Sequence, residues 1–266
     1  MKKLILFFTL SLTVLQLSAQ KDKVSKEHKA GKKAPPGTLW LKDSIYIDQT
    51  EIRNLDYVEF LYWTARNEPE KLKSIQPDTS VWFDVGNFAL SDYYLRHQAY
   101  RSYPVVGITY EQAVAFCNWR TYIVKEFIKI KKSTIEKMIG GRDFYYRLPT
   151  KEEWEYAASA GLSANYSYGF KSIINKDHFP NINVAETRIL YTENSGDFLD
   201  PVYSRYPNDF RLYCMIGNVA EMISEKGIAK GGSYKQTLEE SAITNSITYN
   251  KPTAFIGFRC VCVVVK

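Results

Sequence analysis

Thiols and imidazoles are scarce in this 266-residue chain, which carries four cysteines and three histidines. Only His97 and His178 fall in its body, too few for a three-histidine metal centre. Cys260-Val261-Cys262 sets two sulfurs on one face of a strand, yet no nearby histidine or further cysteine completes a zinc site. The sequence also lacks a phosphate-cradling glycine loop, a His-Glu-x-x-His helix and a Gly-x-Ser-x-Gly elbow. These absences remove nucleotide hydrolysis, zinc proteolysis and serine-hydrolase chemistry of the usual kinds. After the first 20 residues no apolar run is long enough to span a bilayer.

Met1 to Gln20 has the pattern of a secretory signal: Lys2 and Lys3, then the apolar stretch Leu4–Leu15, then the small pair Ser18-Ala19. No cysteine lies near the cleavage point, so a lipid-anchored form is not expected. The reading is a signal over 1–19, a basic disordered linker over 20–36 and one domain over 37–266, exported to the periplasm or secreted. The net charge of +6 is concentrated at this end. Lys2 and Lys3 carry two charges, and 20–35 carries four net charges from six lysines against Asp22 and Glu27, which leaves 36–266 neutral. Nucleic acid is therefore not an expected partner. The tail instead suits a solvated linker that touches an anionic membrane surface.

Pro35-Pro36-Gly37 marks the domain start, and Thr38–Ile47 alternates as a first strand. The pattern then predicts a helix capped by Asn54 and running to about Arg66, with Leu55, Val58, Leu61 and Tyr62 on its inner face. Residues 67–104 show no period and read as a long ordered loop. Thr109 and Gln112 form a capping box for a helix that presents Ala113, Phe116, Cys117 and Tyr122 inward. A basic amphipathic stretch, Lys125–Lys137, reads as an inserted helical segment over about 122–141, stopped by Gly140-Gly141. Thr150 and Glu153 box a third helix that Gly161 ends.

Several blocks share their order and spacing with one family: Tyr103-Pro104-Val105-Val106-Gly107, Ala113 to Trp119, Arg147-Leu148-Pro149-Thr150 with Glu153 to Ala158, Gly217-Asn218-Val219-Ala220-Glu221, Gly231-Gly232-Ser233 and Gly257-Phe258-Arg259-Cys260. Together they resemble the formylglycine-generating, or sulfatase-modifying factor, domain over roughly 37–266. The resemblance implies an α+β, modified C-type lectin-like fold, rich in loops. A narrower set is similar to the gliding-motility lipoproteins of Bacteroidetes, which belong to type IX secretion: Pro77 to Trp82, Tyr93-Tyr94, His97 to Tyr100, and Trp119-Arg120-Thr121 before the insertion. The chain departs from those proteins in lacking the anchoring cysteine.

The resemblance also sets expectations for sites. The family's two copper-binding cysteines fall on Gln236 and Ser241, and an amide and a hydroxyl do not replace a thiolate pair for Cu(I). Copper is not expected; Ser233, which supports the catalytic thiol in the enzymes, is retained as a turn residue. Ala220 and Met222 stand where the enzymes carry tryptophans. Cys117 and Cys260 match a family disulfide, while the ends of a second one fall on Ala158 and Ser246. Cys214 and Cys262 remain, either paired with each other or as buried free thiols. The resemblance implies one calcium site at Gly217, Val219 and Glu221, with its asparagine ligand replaced by Cys214, and a second at Asn181, Ile182, Asp197 and Phe198. No cofactor is required by this reading. Two functions stay open: a catalytically silent interaction domain that holds an envelope protein, or an enzyme or small-ligand (saccharide) binder with an altered pocket.

Overall fold

The computed structural model describes residues 34–131, 140–164, 166–189 and 199–265. The expected signal, most of the basic linker and 132–139 of the insertion lie outside the described residues. The segment expected as one strand is a hairpin: β1 (Thr38–Lys42) pairs antiparallel with β2 (Ile45–Asp48), Thr38 opposite Asp48. Asp43, at φ 47°, makes the reversal, a conformation that Asp tolerates better than most residues. Simple alternation runs through both strands and so hides the turn.

The last strand, β8 (Val261–Val264), inserts between β2 and β3 (Phe144–Arg147), antiparallel to both, to give the order β1-β2-β8-β3. Both faces of this sheet are covered. Leu39, Leu41, Ile47 and Val261 pack into one core with Trp154, while Phe144, Tyr146, Cys262 and Val264 pack into another with Phe116. A second sheet orders β6 (Ser246–Thr248), β5 (Ile228–Lys230), β4 (Ala220–Met222) and β7 (Ile256–Gly257), with β4 and β7 parallel.

Helix α1 (Asn54–Asn67) has Arg53, not Asn54, at its cap position. The Asp56 carboxylate accepts the Arg53 backbone N–H at 3.0 Å and its Nε–H at 2.9 Å. Asn54 is fully buried and donates to the carbonyls of Tyr94 (2.9 Å) and Tyr100 (3.0 Å), which ties the helix to the following segment. The buried face is Asn54, Tyr57, Phe60, Leu61 and Thr64, rotated from the one expected; Tyr62 is exposed. Ring contacts decide this: Tyr57 stacks on Phe116 and Phe60 meets it edge-on, both at 5.8 Å, and burying one such ring stabilises by about 2–3 kcal/mol. Leu55 and Val58 instead line a shallow groove with Leu72 and Leu95.

Residues 67–104 contain more regular structure than expected. Short helices α2 (Leu72–Ile75) and α3 (Leu90–Tyr93) alternate there with 3-10 turns at Pro69–Lys71, Thr79–Val85 and Gln98–Tyr100. Each is too short to leave a periodic signal. His97 is exposed, its Nδ1 accepting from the Ala99 N–H at 3.2 Å and its ring lying edge-on to Tyr93 and Tyr100.

Helix α4 (Tyr110–Lys131) runs without a break from the expected second helix into the start of the insertion. Its capping box forms: Thr109 N donates to Gln112 Oε1 (2.8 Å) and Gln112 N to Thr109 Oγ1 (3.2 Å). Ala113, Phe116 and Cys117 are buried, but Tyr122 is half exposed. Helix α5 (Lys151–Ser159) has the reciprocal Thr150–Glu153 box and ends one residue early, with Ala160 at φ 50° ahead of Gly161. Helix α6 (Ala185–Ile189) follows.

Candidate functional site

The turn after β5 is built on two glycines. Gly231 (φ 88°) lies against the Met215 carbonyl and the Trp154 ring, where an added Cβ would come within 2.6 and 2.9 Å of them. A Cβ on Gly232 (φ 67°) would overlap the Ser241 hydroxyl. Only glycine allows this approach, and it seats the chain directly on Ser241. Ser233 Oγ donates to Gln236 Oε1 at 2.5 Å and accepts from Lys235 N at 3.1 Å. The fully buried Ser241 donates to the Thr237 carbonyl at 2.8 Å. Ala185 N, at the start of α6, donates to the Gln236 carbonyl at 2.9 Å. Gln236, Ser241 and Ser233 are therefore side chains engaged in the turn itself, and the oxygen donors at 236 and 241 do not fit Cu(I). Ala220 and Met222 are wholly buried in the core with Phe258, so they form no wall facing a substrate.

Beneath this turn lies a buried network of charges. Glu221 accepts from Arg259 through both oxygens (Nη2 to Oε1 2.6 Å, Nε to Oε2 2.7 Å), and Trp154 Nε1 donates to Oε2 at 2.8 Å. Arg259 also donates to the carbonyls of Asp48 (3.1 Å) and Tyr213 (2.8 Å). A guanidinium thus occupies the bonding positions of the Glu221 carboxylate. Gly217 and Val219 lie beside it, with Gly217 N donating to the Gly231 carbonyl at 2.8 Å. This set does not fit a calcium ion, because Arg259 already serves as the counter-cation. In the second implied set, Asn181 Nδ2 donates to the Ser172 carbonyl (3.2 Å) and its Oδ1 is buried with no hydrogen-bond partner. The Ile182 carbonyl accepts from Thr187 Oγ1 at 2.9 Å. Asp197 and Phe198 lie outside the described residues. Among the described residues no three His, Cys, Asp or Glu side chains gather as a metal site.

Glu51, which sequence reasoning passed over, belongs to the same network. It is 1% exposed, and Asn218 Nδ2 donates to its Oε1 at 3.0 Å. Burial raises its carboxyl well above the ordinary 4.5; Arg259 opposes that shift and Glu221 adds to it. Locally Glu51 is one acid in the mostly polar run Gln49-Thr50-Glu51-Ile52-Arg53 between β2 and α1, which gives no sign of its burial.

Cys117 on α4 and Cys260 ahead of β8 are brought together, their sulfurs 3.5 Å apart, both buried and unbonded in this structure. Cys214 Sγ donates to the Val202 carbonyl at 3.7 Å, and Cys262 sits in the first sheet. Burial pushes the Cys262 thiol up to about 12 and raises Cys214 as well, so both are inert at neutral pH.

One antiparallel and one mixed sheet, the glycine turn and the Gly-Phe-Arg-Cys segment that joins β7 to β8 define a sulfatase-modifying-factor type of domain. The comparisons agree. Residues 15–264 match the sulfatase-modifying factor enzyme 1-like domain, and the chain belongs to that family. It is 25% identical to the mouse formylglycine-generating enzyme over 82% of this chain and 66% of that protein. It is 28% identical to the bovine inactive C-alpha-formylglycine-generating enzyme 2 over 59% of this chain and 50% of that one. The chain thus spans about half to two-thirds of these relatives. Among solved structures, CarF shares the fold with a TM-score of 0.51 and 20% identity, covering 84% of this chain and 87% of its own.

Proposed function

We propose that this chain is an exported, catalytically silent sulfatase-modifying-factor-like domain, a structural or protein-interaction component of the bacterial envelope linked to gliding motility and type IX secretion. The observation that carries the reading is the turn at 231–241. Gln236 and Ser241 replace the thiolates and are engaged in internal hydrogen bonds. A relative whose name calls it inactive supports the same reading. The exposed Phe83, Phe88 and Tyr93 on the 79–93 segment offer an aromatic surface to a protein partner. The basic linker at 20–36 would bring the domain near an anionic membrane surface.

The direct test incubates the full chain with Cu(I) and a cysteine-containing sulfatase peptide, followed by mass spectrometry for the aldehyde. No stoichiometric copper and no aldehyde are expected; either one overturns the silent assignment. Cross-linking in a native-like host, with and without residues 122–141, tests the interaction half. Recovery of envelope proteins that depends on the segment is the expected result. Export also predicts that Cys117 and Cys260 are oxidised to a disulfide. Thiol titration of the unfolded, exported protein should then find two free thiols, and finding four refutes the bridge.

A further inference from the structure

We infer that the cleft between α1 and α4 is a binding site for a neutral saccharide. It lies apart from the 231–241 turn and does not depend on how that turn is read. The cleft encloses about 620 Å³, within the range of about 300–1,000 Å³ usual for small-ligand sites. Its walls include Phe60, Trp63, Thr64, Asn118, Trp119 and Tyr122.

Three features select the ligand. The first is the set of aromatic rings. Trp63 and Tyr122 sit 5.5 Å apart at 59°, while Trp119 is held against Phe60 (5.1 Å) and Phe116 (5.3 Å). Rings fixed by their neighbours give flat apolar surfaces at little entropic cost, suited to the C–H face of a pyranose. The second is unmet hydrogen bonding. The Thr64 hydroxyl, on a residue 2% exposed, and the buried Trp119 Nε1–H both lack a hydrogen-bond partner. Buried polar atoms are rarely left so. A hydroxyl-rich ligand accepts from the indole and exchanges bonds with the threonine, whereas an aliphatic peptide side chain offers neither. The third is charge. Glu68 and Lys71, the cleft's two charged residues, pair with each other at 2.9 Å, so no net charge is presented to an ionic ligand.

The test titrates the full chain with maltotriose, cellotriose and chitotriose, read by tryptophan fluorescence and calorimetry. At least one should bind saturably below about 10 mM. Trp119→Phe, which keeps a ring and removes the N–H, and Thr64→Val, which keeps the shape and removes the hydroxyl, should each weaken that binding about 2- to 12-fold. Trp63→Ala should weaken it further. Thr64→Val should also hold or raise the melting midpoint of the free protein, because an unpartnered polar atom is removed; weaker binding by this variant is then not a folding defect. The proposal is overturned if none of the three trisaccharides saturates, or if binding is unchanged in both Trp119→Phe and Thr64→Val.

Discussion

The turn at 231–241 and the cleft between α1 and α4 treat polar side chains in opposite ways. At the turn, Ser233, Gln236 and Ser241 bond within a few residues of themselves, and Gly232 closes directly onto Ser241. In the cleft, Thr64 and Trp119 keep buried polar atoms without partners beside exposed or half-buried rings. An unsatisfied buried group costs about 1–3 kcal/mol, so the second arrangement needs a balancing role that the first does not. Polar groups that bond inward offer nothing to a ligand, whereas the cleft keeps bonding capacity open.

Three substitutions probe the closed side of this contrast, and the largest effect is expected at its base. Arg259→Met leaves the buried Glu221 carboxylate without its guanidinium, and urea denaturation should show a loss of about 3–5 kcal/mol. A loss comparable to an exposed substitution would mean that the network is not what holds the turn. Next, Gly232→Ala adds a Cβ both in collision with Ser241 and at positive φ. Its expected cost is about 1–3 kcal/mol or more. The double variant with Ser241→Gly should recover only the part due to collision; full recovery would show that φ 67° imposes no strain.

The smallest effect is a pH dependence. Glu51 has a raised folded value, so its contribution to stability is complete below its unfolded value near 4.5 and is lost as pH rises toward the folded value. Glu51→Gln removes that loss. Melting midpoints from about pH 4.5 to about pH 8 should fall less steeply in the variant than in the wild type. Parallel curves would show that Glu51 is ionised in the folded protein throughout.

What could be read from sequence followed the range of each interaction. The boxes at Thr109–Gln112 and Thr150–Glu153 span three residues and formed as expected. The inner face of α1 was misjudged because Leu55, Val58 and Tyr62 have helical spacing as good as that of Tyr57, Phe60 and Thr64. The choice between the two faces is made by Phe116 on another helix. Asn54 likewise had the composition of a cap, but its partners are carbonyls at 94 and 100. At the site, the amide at Gln236 and the hydroxyl at Ser241 were fully legible, since they depend only on which residues follow Gly-Gly-Ser. The role of Glu221 was not, because its partner Arg259 lies 38 residues away and nothing local distinguishes a metal ligand from half of an ion pair.

The sequence by itself determined the family, the amide and hydroxyl at positions 236 and 241, and the capping boxes at 109–112 and 150–153, because each is a matter of residue identity at short, fixed spacing. Tertiary structure alone decided that Glu221 answers Arg259 and that Trp63, Thr64, Trp119 and Tyr122 face one cleft. Those are juxtapositions of distant segments, set by how the rings and strands pack and carried by no local pattern.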